Sequence, residues 1–283
     1  MTWSGCGGTP AGTKWIRPGS SLAHARHAGV RVLDAVLAVT LAPACAACRG
    51  ALDSPLGGPV CRPCWDAIRP LTGPTCRTCG VPIPARRDAA AQDESCAACR
   101  RRPGAVDWGL VAAHYSGSLR EIIQAFKYEG RRSLAGGLGR VLAEAGGPVL
   151  AGADCVVPVP LHPWKRLRRG FNQATALANG LGPPVVPALW RVRATRAQVG
   201  LPAATRRRNV RDAFVPSPLL GSRLRDRAVA GRVVVLVDDV RTTGATLHEC
   251  ARVLKQMGAR EVRSLALAQA PPREPAPTGP GLG

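Results

Sequence analysis

Apolar residues between positions 106 and 270 fall into short continuous runs that alternate with stretches of helical periodicity. The runs are typical of strands buried on both faces, and the periodic stretches are typical of amphipathic helices. This alternation predicts an α/β fold, with a mainly parallel sheet and helices on both faces. The predicted elements cover residues 108–115, 119–128, 133–145, 154–160, 171–181, 185–190, 232–238, 245–257 and 262–268.

The most informative segment spans residues 233–246 and reads VVVLVDDVRTTGAT. Its five leading apolar residues predict a buried strand, and Asp238 and Asp239 stand where that strand would emerge. A loop rich in Thr and Gly follows, and then a helix begins. Backbone N–H groups at a helix N-terminus beside two carboxylate acceptors form the layout of an anion site.

The residue types in this segment suit a pentose that carries a phosphate. Backbone amides and Thr hydroxyls donate to phosphate oxygens, and Gly244 lets the backbone approach closely. The two carboxylates would repel a phosphate, but they can accept hydrogen bonds from a vicinal diol. The alternative is that Asp-Asp merely ends a strand and Thr-Thr-Gly merely turns the chain. The predicted phosphate-binding residues are Thr242, Thr243, Gly244, Ala245 and Thr246.

Eight of the eleven cysteines form four Cys-x-x-Cys pairs. Each pair can supply one edge of a tetrahedral metal site, so two pairs complete a closed structural Zn²⁺ site. We expect two such sites with the pairs grouped in sequence order, although a crossed grouping stays open. Disulfides would require export, which we do not expect for this chain. The predicted ligands are Cys45, Cys48, Cys61, Cys64, Cys76, Cys79, Cys96 and Cys99.

A second segment with chemical content covers residues 156–173 and reads VVPVPLHPWKRLRRGFNQ. A short strand ending in Pro-Val-Pro leads into a basic turn, and a helix follows near 171–181. Arg is suited to bidentate phosphate contacts, so the turn is a candidate anion site. A solvated basic face is the alternative. Lys127 is a further candidate for ligand contact, although a surface lysine is the favoured interpretation.

These segments together resemble two known groups of proteins. Residues 233–246 resemble the phosphoribosyl-pyrophosphate loop of type I phosphoribosyltransferases. A double zinc ribbon joined to such a domain, with the Pro-Val-Pro and Arg-Gly-Phe-Asn-Gln segments, resembles the ComF family, whose members include ComFC and GntX. A third matching segment begins at Thr195. The resemblance covers roughly residues 30–270.

The resemblance implies roles for the candidate residues. Asp238 and Asp239 would be the catalytic pair that holds the ribose hydroxyls, and residues 242–246 would hold the 5′-phosphate. Arg241 stands at a position more often apolar in relatives, so we expect its side chain to point outward, towards ligand. Mg²⁺ would accompany the pyrophosphate. The segment 195–211 is interpreted as a mobile hood over the pyrophosphate, and a basic surface loop that contacts nucleic acid is the alternative. Candidates for the pyrophosphate loop and the hood are Pro158, Val159, Pro160, Lys165, Arg166, Arg169, Arg196 and Gln198.

The family resemblance also implies a cellular role, which is the handling of incoming single-stranded DNA during natural transformation. Competence or DNA-processing proteins would then be partners. The protein would be a phosphoribosyltransferase or, alternatively, a non-catalytic ligand sensor or nucleic-acid-binding module on the same fold. No segment carries an obvious cradle for a purine or pyrimidine acceptor, so the sequence leaves this choice open. A cytoplasmic location is expected.

The net charge of +21 favours polyanionic partners such as DNA. Codon bias is the competing explanation, because Arg, Ala, Gly and Pro are all abundant while Lys is scarce. Aromatic side chains that could stack on bases are few, and the candidates are Trp65, Trp108 and Trp164.

The domain organisation follows from these assignments. Residues 1–28 are predicted to be a disordered tail, and residues 29–105 a leading helix with the double zinc ribbon. Residues 106–270 would form the phosphoribosyltransferase-like domain, and the Pro-rich residues 271–283 a second tail. The apolar stretch 30–44 is too short to span a bilayer, so no membrane span is expected.

Overall fold

The structure, a computed structural model, describes residues 34–84, 95–193, 210–221 and 227–271. Both predicted tails lie outside these ranges, apart from Pro271. Two strand-rich units occur in the described residues. A four-stranded sheet has the order β1-β6-β5-β2, and β3 pairs with β4 in a small antiparallel ribbon. The strands are β1 Trp108–His114, β2 Cys155–Pro158, β3 Leu189–Arg191, β4 Phe214–Pro216, β5 Val233–Arg241 and β6 Glu261–Gln269.

All neighbouring strands of the main sheet run parallel, which confirms the predicted α/β fold. The first five residues of the central strand β5 are at most 3% exposed, because helices cover both faces of the sheet. The helices are α1 Arg62–Asp66, α2 Ala97–Arg101, α3 Gly117–Tyr128, α4 Leu134–Leu150, α5 Pro163–Arg169, α6 Gln173–Ala178 and α7 Ala245–Gln256. Residues 34–41 are also helical.

Two apolar cores lie on opposite faces of the sheet. One contains Ile122 and Phe126 of α3 and Leu138 of α4, and the other contains Leu247 and Leu254 of α7. The apolar side chains within residues 247–257 therefore face the sheet, as their helical period predicts. None of the helices within the described ranges combines the length and apolar character needed to cross a bilayer.

The first zinc-ribbon segment shares a core with the parallel sheet. Leu52, Val60 and Ile68 belong to the same apolar cluster as helices α3 and α4. Backbone hydrogen bonds add to this contact, because the amide of Leu71 donates to the carbonyl of Ala112 in β1 at 3.0 Å. The ribbon is thus packed onto the edge strand β1.

The structure corrects several predicted boundaries. Strand β5 continues to Arg241, three residues beyond the predicted end at 238, because β6 pairs with it as far as Gln269. Strand β2 stops earlier, opposite Val237. The predicted basic turn before residue 170 is the helix α5, and the predicted helix 171–181 is shortened to α6. The last residues of β5 therefore lack a β2 neighbour, and that side of β5 is open.

Candidate functional site

The acidic pair lies within the last residues of the central strand rather than just after it. Asp238 and Asp239 are both partly buried. The Oδ1 atom of Asp239 lies 2.7 Å from Nζ of Lys127, and each side chain is 14% exposed. Lys127 belongs to the last turn of α3. The expectation of a simple surface lysine is therefore wrong, because the end of α3 meets the carboxyl end of β5.

Burial and charge separate the two carboxyl groups chemically. The pKa of Asp238 is raised to about 7, first by burial and then by the neighbouring charge of Asp239. The positive charges of Lys127 and Arg191 lower the pKa of Asp238. The Oδ1 atom of Asp238 accepts a hydrogen bond of 2.9 Å from the amide of Asp239. Near neutral pH, Asp238 can therefore gain or lose a proton.

The loop between β5 and α7 depends on a glycine at its tightest point. Gly244 has φ +75° and caps α7, which begins at Ala245. A Cβ atom at this position would lie 2.7 Å from Nη2 of Arg241. Position 244 therefore requires glycine, because its backbone is left-handed and the guanidinium of Arg241 leaves no room for a side chain. Thr242, Thr243 and Thr246 are partly exposed around it.

Arg241 supports this loop from inside the protein. It is 8% exposed, and its Nη1 donates to Oε1 of Gln269 at 2.8 Å. Nε2 of Gln269 donates in turn to the carbonyl of Thr242 at 3.2 Å. The expectation that Arg241 points outward to ligand is corrected, because its pairing partner stands at the end of β6. The sequence analysis did not identify Gln269 as part of the site. A polar residue at the end of an otherwise apolar strand is the sequence feature that could have indicated it.

Hydrogen bonds hold the Pro-Val-Pro turn at the end of β2. The amide of Val159 donates to the carbonyl of Val237 at 2.9 Å. Asn172 then donates from Nδ2 to the carbonyl of Val159 at 3.1 Å, while its Oδ1 caps α6 by accepting from Ala174. Residues 158–160 therefore lie beside the open side of β5, and Asn172 has a structural role.

The structure gives the three basic candidates of α5 different surroundings. The pKa of Lys165 is lowered by burial and by the charges of Arg191, Arg169 and Arg168. Arg169 lies over the ring of Tyr128 at 4.9 Å and donates to Oε1 of Gln173 at 3.1 Å. Arg166 is exposed and lines a separate groove. Arg196 and Gln198 lie outside the described residues.

The eight predicted metal ligands form two groups of four, each made of consecutive Cys-x-x-Cys pairs. Within each group the sulfur atoms lie within 4.8 Å of one another. The contacts between Cys48 and Cys61 and between Cys79 and Cys96 are 3.8 Å. A tetrahedron with Zn–S bonds of about 2.3 Å has edges of about 3.8 Å, so both groups fit Zn²⁺. Four thiols in each group leave no open position, and the sequential grouping is confirmed.

Two family models match this chain. Residues 36–100 match a double zinc ribbon domain, and residues 167–279 match a phosphoribosyl transferase domain. Competence protein F of Haemophilus influenzae is 32% identical over 187 residues, which cover 62% of this chain and 79% of the relative. DNA utilization protein YhgH of Escherichia coli strain K12 is 34% identical over 184 residues, which cover 62% of this chain and 77% of the relative.

Solved structures give a weaker likeness. Glutamine phosphoribosylpyrophosphate amidotransferase from Bacillus subtilis, complexed with ADP and GMP, is 25% identical with a TM-score of 0.31. The match covers 47% of this chain and 26% of that enzyme. The chain thus spans about a quarter of that enzyme, and the likeness is too low to bear on function.

Proposed function

This chain belongs to the ComF family, the family of competence protein F, and we propose that it binds phosphoribosyl pyrophosphate and acts in the uptake or use of DNA. One observation carries the ligand proposal. The acidic pair of β5 and the glycine-capped start of α7 are only a few residues apart on one strand end. Acceptors for a diol and donors for a phosphate are thereby combined in one place.

The acidic pair binds the ribose, and the start of α7 binds its 5′-phosphate. Asp238 and Asp239 accept hydrogen bonds from the ribose hydroxyls. The 5′-phosphate binds the amides and hydroxyls of residues 242–246, where the dipole of α7 favours negative charge. The Arg241–Gln269 pair fixes the carbonyl of Thr242, so the loop is shaped before ligand arrives. A preformed loop lowers the ordering cost of binding.

The pyrophosphate lies on the open side of β5, between the acidic pair and the Pro158–Pro160 turn. Lys127 and Lys165 supply positive charge there. Mg²⁺ would be carried by the pyrophosphate, whose oxygens are hard ligands of the type it prefers. The cation would offset charge on the leaving group.

Zn²⁺ would be held by the two four-cysteine groups and would serve structure rather than catalysis. Each group supplies four thiol ligands and would leave the metal no site for water or substrate. Part of the ribbon shares the core of α3 and α4, so the metal sites also stabilise the helix that carries Lys127.

One experiment separates a transferase from a ligand sensor. The metal-replete protein is incubated with phosphoribosyl pyrophosphate, Mg²⁺ and a panel of nucleobases while pyrophosphate release is followed. If the protein is a transferase, a nitrogen nucleophile displaces pyrophosphate from ribose C1, and Asp239→Asn abolishes the release. Binding of the ligand without release identifies the sensor. Absence of binding contradicts both.

The DNA part of the proposal rests on the relatives' names and on the net charge of +21. Single-stranded DNA is the proposed form, and binding should weaken steeply with salt because arginines displace counterions from phosphates. A salt titration with single-stranded oligonucleotides tests this part separately. Binding that is absent or insensitive to salt contradicts it.

A further inference from the structure

The structure distinguishes the three tryptophans that the sequence offers as stacking platforms. The ring of Trp65 packs on Gly137, where an added Cβ atom would lie 2.5 Å from it. Trp108 lies beneath the guanidinium of Arg263, 5.4 Å from the ring centroid. Trp164 is 74% exposed. Trp164 is therefore the most exposed of the three, and the other two are partly buried.

Trp164 stands on the most basic helix of the described residues. Helix α5 carries four cations in seven residues and has no acidic side chain. Leu167, three residues further on, is 75% exposed, and Arg168, four residues further on, is exposed as well. Residues three and four apart share one face of a helix. One face therefore combines an indole, an apolar side chain and a guanidinium.

A groove of about 870 Å³ adjoins this face. Arg166 and Leu167 line it from α5, Pro160 lines it from the Pro-Val-Pro turn, and Arg132 adds a further cation. Leu219 also lines the groove and is 72% exposed. An apolar groove bordered by cations has the character expected for flat bases joined by a charged backbone.

We propose that the face of α5 formed by Trp164, Leu167 and Arg168 binds single-stranded DNA. A base stacks on the indole of Trp164, and backbone phosphates contact Arg168 and the neighbouring Arg166. This inference rests on the DNA part of the proposed function and assigns it a surface. Duplex DNA would hide its base faces, whereas a single strand exposes them to aromatic side chains.

The position of α5 places this surface beside the sugar-phosphate site. Helix α5 follows Pro160 closely, and the amide of Val159 is bonded to β5 just before the acidic pair. A strand bound on α5 therefore lies close to the carboxyl end of β2. The DNA site and the sugar-phosphate site are neighbours in this proposal.

Fluorescence anisotropy with a labelled oligo(dT) strand over a series of salt concentrations tests this surface. Trp164→Ala should weaken binding about tenfold, whereas Trp164→Phe, which keeps a stacking ring, should stay within about threefold of wild type. Arg168→Gln should reduce the slope of log K against log salt by about 0.7, the value for one phosphate of a single strand. Arg62→Gln, an exposed arginine of the ribbon, should leave the slope unchanged.

An abasic strand of the same length isolates the stacking contribution. Wild type and Trp164→Ala should bind that strand equally, because it has phosphates but no bases. Equal binding of oligo(dT) by wild type and Trp164→Ala overturns the proposed surface. If wild type itself binds no single strand, the DNA part of the proposed function fails too. Calorimetry with phosphoribosyl pyrophosphate checks the fold of Trp164→Ala, whose affinity should equal that of wild type.

Discussion

Nζ of Lys127 lies 2.7 Å from Oδ1 of Asp239, and the two side chains are each 14% exposed. The pair joins the last turn of α3 to the carboxyl end of β5. Such a pair is screened little by solvent, so the loss of one partner would leave the charge of the other uncompensated. One oxygen of Asp239 is engaged by lysine, and the other can accept from a ribose hydroxyl.

Replacing Lys127 tests whether this cation serves the ligand. Lys127→Met should weaken binding of phosphoribosyl pyrophosphate by about tenfold, because it removes positive charge beside the pyrophosphate. Isothermal titration calorimetry in Mg²⁺ measures the change. Lys255→Met is the matched control, since Lys255 pairs with Asp107 at the same 2.7 Å distance, away from the proposed site. Unchanged or tighter binding by Lys127→Met would contradict the assignment.

The raised pKa of Asp238, about 7, makes stability depend on pH. Between about pH 4 and about pH 7 the native state keeps a proton that the unfolded chain has released, so this group lowers stability as pH rises. Asp238→Asn cannot ionise. It should therefore raise the Tm by about 3 °C at pH 8, with a smaller difference at pH 5. Thermal melts over a pH series measure this difference.

Asp154→Asn is the control, and its expected effect on the Tm is opposite to that of Asp238→Asn. The pKa of Asp154 is lowered, chiefly because the amide of Val233 donates to its carboxylate at 2.8 Å. The ionised form is thus favoured in the folded state. This substitution should lower the Tm at pH 8 and have less effect below about pH 4. Two variants that shift the Tm in the same direction at pH 8 would contradict the described surroundings of Asp238.

Gly244→Ala tests the shape of the loop. The substitution forces a side chain into left-handed backbone and against the guanidinium of Arg241, so it should cost about 1–2 kcal/mol of unfolding free energy. Ligand affinity should fall as well, since Arg241 supports Thr242 through Gln269. Urea unfolding and calorimetry measure the two effects. Gly136→Ala, in α4 where an added Cβ atom meets nothing, should be neutral or stabilising.

Metal content tests the two four-cysteine groups independently. Cys61→Ser should reduce bound zinc from about two ions per chain to about one, and Cys96→Ser should do the same. Each variant should also melt at lower temperature, because metal binding contributes to folding. Atomic absorption measures the zinc. Cys6→Ser, at a position outside the described residues, is the control and should keep both ions. A single ion in wild type would contradict the assignment.

Sequence patterns predicted the features that depend on neighbouring residues in the chain. The parallel strands follow from apolar runs, the zinc ligands from Cys-x-x-Cys spacing, and the start of α7 after Gly244 from the helical period of residues 245–257. The Lys127–Asp239 pair and the support of Arg241 by Gln269 join segments far apart in sequence. Their geometry depends on strand order and on where β2 ends, and neither is encoded in a local period.

The account depends most on the sugar-phosphate site at the end of β5, and calorimetry tests it directly. Folded, zinc-replete protein is titrated with phosphoribosyl pyrophosphate in the presence of Mg²⁺. We predict saturable binding that Asp239→Asn weakens by at least about tenfold, while Asp66→Asn on the ribbon helix α1 leaves it unchanged. Absence of binding by wild type, or equal binding by Asp239→Asn, would contradict the central claim.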